Sequence, residues 1–267
     1  DTNELPFRWG HVDIDRGVLV WTTKDPTAQG DDAGGVYGLN LLNGERYQFS
    51  EVPTWSHIAV SGDRVAWVQS SSQASTPAEA IFTTTLDDLD GDPVLVHELS
   101  PFGVEVTDFG MSGAAIVWVE FDPVRGEQRL MIKQLGDTPR MIATSAGTIR
   151  IDVQGNHVAY SIDGYIDIFF LDLGESISLY EGQHPTTDGR YVFWSNVSVI
   201  ETFDTQTAST FAVASQEYFD DYFTMFSASA ASGNVVAWVV DQVFFYMGGA
   251  KTTTIHTALL SDRLPSG

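Results

Sequence analysis

One seven-residue phrase returns along the chain and dictates what the chain can fold into. Ser61-Gly62-Asp63-Arg64-Val65-Ala66-Trp67 is a tight polar turn leading into a strand that ends in a large aromatic. Ser112-Gly113-Ala114-Ala115-Ile116-Val117-Trp118 and Ser232-Gly233-Asn234-Val235-Val236-Ala237-Trp238 repeat it closely. Looser copies start at Asp15, Gln154 and Asp188 and end at Trp21, Tyr160 and Trp194. The six closing aromatics lie 46, 51, 42, 34 and 44 residues apart. A period of this length marks an array of supersecondary units, each too small to bury its own apolar face.

Around each phrase the sequence reads as four short strands. In the first repeat an alternating segment at 8–14 precedes the turn Asp15-Arg16-Gly17. A loop rich in Gly, Asp and Pro spans 22–35, and Asn43-Gly44 joins strands at 36–42 and 46–50. Asn-Gly between alternating runs is a strong hairpin signal. The second repeat carries a Ser-rich loop at 69–78 and a hairpin around Asp90-Gly91, and the third a loop at 121–127. The last turns at Gly248-Gly249. No stretch holds a helical period over ten or more residues. The pattern predicts an all-β, six-bladed β-propeller of four-stranded antiparallel blades. One domain would cover 1–267, with blades near 8–51, 54–100, 103–145, 147–181, 183–215 and 223–260, and residues 1–6 able to add a strand. Each recurring Trp or Tyr is expected to pack against the neighbouring blade.

Two segments resemble the TolB-type propeller repeat family. They are Thr187-Asp188-Gly189-Arg190-Tyr191-Val192-Phe193-Trp194 and Ile166-Asp167-Ile168-Phe169-Phe170-Leu171-Asp172-Leu173-Gly174. The first echoes the family's Asp-Gly turn and aromatic strand, the second its later strand before a glycine turn. Most repeats here have Ser-Gly where the family has Ser-Pro-Asp-Gly. The resemblance implies an exported bacterial protein or a propeller module of a larger enzyme, on a fold that hosts many functions.

The chain has 36 carboxylates against 13 Lys and Arg, a formal charge of −23. Such a surface repels phosphate backbones and anionic membranes, which argues against nucleic acid and membrane insertion. The charge-free run at 222–240 has the length of a membrane span. Ser227, Ser229, Ser232, Gly233 and Asn234 in its middle make it two strands and a turn instead. With no cysteine there is no disulfide or thiol chemistry. A start at Asp1 without a methionine or apolar leader reads either as a removed signal peptide or as a trimmed start. The first leads to the expectation of an extracellular, periplasmic or cell-surface location.

Aligning the first strands on the closing aromatics exposes a polar register. Ten residues before them (position −10) stand His11, His57, Asp108, Arg150, His184 and Ala228. At −8 stand Asp13, Ala59, Gly110, Asp152, Thr186 and Ala230, and at −9 Val12, Ile58, Phe109, Ile151, Pro185 and Ser229. Strand alternation puts −10 and −8 on one side and the apolar −9 set on the other. His11, Asp13, His57, Asp108, Arg150, Asp152 and His184 are therefore the candidate ligand-facing residues of a central channel. His11, His57, His184 and Asp108 have the donor atoms for zinc, manganese or a similar ion. Asp88, Asp90 and Asp92 flank Gly91 at the alternate spacing of a calcium loop, without its bidentate Glu.

The Tyr/Phe segment at 218–223 and the loops at 22–35, 68–80 and 119–128 are expected to share one face of the propeller. No Gly-x-Ser-x-Gly, His-Glu-x-x-His, phosphate-binding loop or dinucleotide fingerprint occurs. The expected function is a non-enzymatic module that binds a protein or small ligand at that face and channel mouth. The alternatives are a metal-dependent lyase or hydrolase with a His-lined site, and a structural module of a larger enzyme.

Overall fold

The computed structural model describes residues 9–23, 34–52, 56–71, 78–88, 92–99, 103–196, 199–215, 222–232, 235–244 and 251–259. Every regular element among them is a strand, as the repeat predicts. The chain forms two compact units, Asp1–Ala146 and Gly147–Gly267, each holding three repeats.

In the N-terminal unit the first sheet is β1 (Trp9–Asp15), β2 (Val18–Thr23), β3 (Gly35–Asn40) and β4 (Arg46–Ser50). The second is β5 (Ile58–Ser61), β6 (Arg64–Ser71), β7 (Ala78–Thr85) and β8 (Val94–Glu98). The third is β9 (Glu105–Ser112), β10 (Ala115–Asp122), β11 (Glu127–Gln134) and β12 (Arg140–Ser145). The C-terminal unit opens with β13 (Arg150–Gln154), β14 (His157–Ile162), β15 (Tyr165–Phe170) and β16 (Glu175–Glu181). It continues with β17 (Gln183–Thr187), β18 (Tyr191–Asn196), β19 (Val199–Asp204) and β20 (Ser209–Ser215). Its last sheet has β21 (Tyr222–Ser232), β22 (Val235–Phe244) and β23 (Lys251–Leu259).

Each sheet is an antiparallel meander in chain order. Five have four strands; the sixth has three among the described residues, and the segments at 1–6 and 245–250 lie outside them. One expectation needs correcting. The segment at 121–127 is not a long loop: β10 runs to Asp122, β11 resumes at Glu127, and the two pair through Asp122–Glu127. The Asp122 carboxylate caps this turn, accepting from the amides of Val124 and Arg125 at 3.0 and 3.1 Å.

The recurring phrase always supplies the second strand of its sheet. An inner strand is covered on both faces, which is why Val, Ala, Ile and Trp run there almost without polar interruption. Trp67, Trp118 and Trp194 are fully buried. Trp67 lies in a core of first- and second-sheet residues, including Val20, Val36 and Phe49. Trp118 joins Val68, Ile81 and Val96 of the second sheet, and Trp194 joins Ile166 and Ile168 of the fourth. Each Trp therefore packs on the preceding sheet of its unit.

A buried indole also brings an N–H that needs an acceptor. Trp67 donates to Gln69 Oε1 at 2.9 Å, Trp118 to Glu120 Oε2 at 3.3 Å and Trp194 to Glu201 Oε2 at 3.0 Å. Gly182 lies so close to the Trp194 ring that a Cβ there would overlap Cδ1. Trp194→Ala should cost about 3–5 kcal/mol and Gly182→Ala about 1–3 kcal/mol in urea unfolding, the first through a cavity and the second through overpacking.

Candidate site at the first strands

Position −10 falls on or beside an irregularity of the first strand in four of the six sheets. The pairing slips by one residue between Trp9 and Val12 in β1, across Thr107 in β9, between Gln183 and Thr186 in β17, and across Ser227 in β21. In each case the extra residue is on the first strand. Such bulges twist a strand and re-aim the side chain beside them. His184 takes a left-handed backbone there, with φ of 53°. The alternation used in the sequence argument does not reveal a bulge, because one added residue leaves no mark in composition.

Within the N-terminal unit two of the −10 side chains meet. The rings of His11 and His57, at the same repeat position on adjacent sheets, have centroids 4.2 Å apart and planes tilted by 43°. The bulge at Gly10–His11 turns the His11 amide to the Thr22 hydroxyl at 3.0 Å, and that hydroxyl donates to Ser56 O at 3.1 Å. His57 Nε2 lies 3.1 Å from Val106 O on the third sheet. A carbonyl only accepts, so Nε2 carries the proton. The Val106 amide donates to Glu79 Oε2 at 2.8 Å, so His57 and Glu79 grip the two backbone groups of one residue of the third sheet. Burial pushes the Glu79 carboxyl up from its usual range and the His11 imidazole down.

The acids at −8 do something the sequence argument missed. Asp13 Oδ2 accepts from the amide of Val60, at −7 of the next sheet, at 2.8 Å. Asp152 Oδ2 accepts from the amide of Thr187, also at −7 of the next sheet, at 2.7 Å. Asp152 takes a second bond from the Thr186 hydroxyl at 2.7 Å, and Oδ1 one from the Val153 amide at 2.9 Å. Burial still dominates and pushes its pKa up.

A parallel stitch joins −6 to −5: Asp15 Oδ2 accepts from the Gly62 amide at 2.7 Å, and Ser61 Oγ from the Gly113 amide at 2.9 Å. The signal was present in the sequence as acids or hydroxyls at −8 and −6 with a small residue following the turn. Channel-facing and sheet-joining readings place those residues on the same side of the strand, so spacing alone does not separate them.

Asp108 is half-buried, and its Oδ1 accepts from the following amide, Phe109, at 3.0 Å. Arg150 and His184, at −10 in the C-terminal unit, are exposed. Of the metal quartet, His11, His57 and Asp108 belong to the N-terminal unit and His184 to the other. Among the described residues no three His, Asp or Glu side chains gather as a metal group, and the His11–His57 pair is what the structure brings together. Of the calcium candidates, Asp88 and Asp92 are exposed and Asp90 lies outside the described residues. Residues 24–33 and 72–77, within the loops at 22–35 and 68–80, and residues 216–221 lie outside them as well.

At −9, Ile58 is 5% exposed and Pro185 is buried, Phe109 and Ile151 are half-buried, and Val12 is 59% exposed.

No protein-family model matches this chain, and no curated protein does. Solved structures do. The β-propeller domain of the trilobed protease from Pyrococcus furiosus is 9% identical, over 95% of this chain and 97% of that one, with a TM-score of 0.55. A prolyl endopeptidase is 12% identical over 98% of this chain and 41% of its own, with a TM-score of 0.65. PorZ, a surface component of the type-IX secretion system of Porphyromonas gingivalis, is 12% identical over 92% of this chain and 33% of its own, with a TM-score of 0.50. The chain thus spans less than half of the latter two. Meander sheets of this kind, matched to such structures over nearly the whole chain, define a β-propeller.

Two predictions follow from the geometry. Asp152→Ala leaves the Thr187 amide and the Thr186 hydroxyl without their acceptor, and should cost about 1–3 kcal/mol in urea unfolding. His97, whose ring centroid lies 5.2 Å from that of Trp118, and His157 are pushed down by burial, as is His11. The unfolded chain then holds protons on these groups more tightly than the native one. Their stabilising contribution is complete above the ordinary histidine range, near pH 6.5, and is lost as pH falls through it. Urea midpoints should drop between about pH 7 and 5, and His97→Phe should flatten that slope.

Proposed function

We propose that this chain is a six-bladed β-propeller acting as a non-catalytic binding module, exported or surface-exposed, which takes a protein or small ligand where its first strands begin. One observation carries the reading: bulges at or beside position −10 in four sheets, with His11 brought against His57 from adjacent sheets. Bulges concentrate where a fold re-aims side chains toward a ligand. The net charge of −23 favours a neutral or basic partner over nucleic acid or an anionic membrane. A surface role is consistent with the likeness to PorZ.

A second reading, a propeller module within a larger peptidase, draws on the prolyl endopeptidase, of which this chain matches 41%. The two separate on the native full-length polypeptide. Labelling by an active-site serine-hydrolase probe favours the module reading. Capture of a partner that is lost when residues 22–35 and 68–80 are replaced by Gly-Ser linkers favours the binding module. Retention of every partner by that variant would sink it.

A further inference from the structure

We propose that His11 and His57 form a two-imidazole binding site for a borderline divalent cation, of which Zn2+, Ni2+ and Cu2+ are the fitting members. Imidazole nitrogen suits these ions, whereas calcium and magnesium call for oxygen donors. The pair comes from one repeat position on two adjacent first strands, and the rings already touch, with centroids 4.2 Å apart.

The tautomer of His57 is the stronger argument. Its Nε2–H is held by Val106 O, so the neutral ring carries its lone pair on Nδ1. A ligating histidine whose other nitrogen donates to a backbone carbonyl is the usual outer-sphere arrangement of metal sites. Glu79 holds the amide of the same residue, Val106, so the chain carrying the acceptor is pinned on both sides of its Cα. On the other side, the His11 backbone is tied through Thr22 to Ser56 O.

Distance sets what must move. With metal–nitrogen bonds of about 2.1 Å and a tetrahedral angle, two imidazole centroids sit about 5 Å apart. The rings therefore part by roughly 1 Å on binding. His11 is exposed and can swing that far, while His57 stays anchored to Val106. Two protein ligands leave the remaining positions to water or to a donor atom of a bound molecule. The site is thus exchangeable and not a structural staple. It stands independently of the binding-module reading, since loss of a protein partner and loss of a metal are scored separately.

The test is a titration of the purified chain with Zn2+ alone, followed by calorimetry and by imidazole 15N NMR. The expected result is one site whose binding shifts the His11 and His57 ring nitrogens, with Nδ1 the coordinated atom of His57. The rings of His97, His157 and His256 should keep their shifts. His11→Ala and His57→Gln should each weaken Zn2+ by at least about tenfold, the cost even of losing an outer-sphere partner. The Gln variant can still donate to Val106 O, and so removes the ligand while keeping the sheet contact. His256→Ala should bind as the parent does. Unchanged affinity in the His11→Ala/His57→Gln double variant, or Zn2+ shifts confined to other residues, overturns the proposal.

Discussion

Backbone amides on the first strands govern how these sheets associate. A strand at the edge of a sheet presents N–H groups to whatever lies beside it, and an uncovered edge invites the wrong partner. In this chain the amides of Val60, Gly62, Gly113 and Thr187 are each taken by a side chain of the preceding sheet: Asp13, Asp15, Ser61 and Asp152. The apolar cores supply most of the burial energy, but they are nondirectional. The stitches are directional, and they hold first strands in one register so that Trp67, Trp118 and Trp194 meet the sheets they must pack on.

Much of this architecture was legible before any coordinates. The turn-plus-aromatic phrase located the inner strand of all six sheets, and counting back from it found the position that unites His11 with His57. It succeeded because burial on both faces forces a continuous apolar run, and such runs are visible in sequence. The bulges were invisible, since an inserted residue preserves composition and looks like ordinary strand. The role of Asp13 and Asp152 escaped for another reason. An acid on the inner side of a strand reads identically whether it faces a ligand or a neighbouring amide, and only the 2.8 and 2.7 Å contacts decide. The loop expected at 121–127 failed because Asp122 caps a tight turn between long strands.

The candidate site inherits its stiffness unevenly. His57 is braced by the carbonyl of Val106, a residue whose amide Glu79 holds. His11 is held through its backbone, and its ring, set against that of His57, belongs to an exposed residue. A pair made of one anchored and one adjustable member accommodates a change of spacing without disturbing the sheets. That division fits a place where something binds and leaves better than one that only holds the protein together.

The stitches differ from one pair of sheets to the next. Gln154 stands at −6 of the fourth sheet, where Asp15 and Ser61 stand in the first two, and there the turns meet instead through the bare backbones of Gly155 and Gly189. Ala59 and Gly110, at −8, lack the acceptor that Asp13 and Asp152 provide. Neighbouring sheets are thus matched in pairs, like teeth cut to one particular key. A blade transplanted to another place in the array would face an amide with no acceptor or a side chain with no room. The repeats are therefore not interchangeable, and the order of the sheets is part of what the chain encodes.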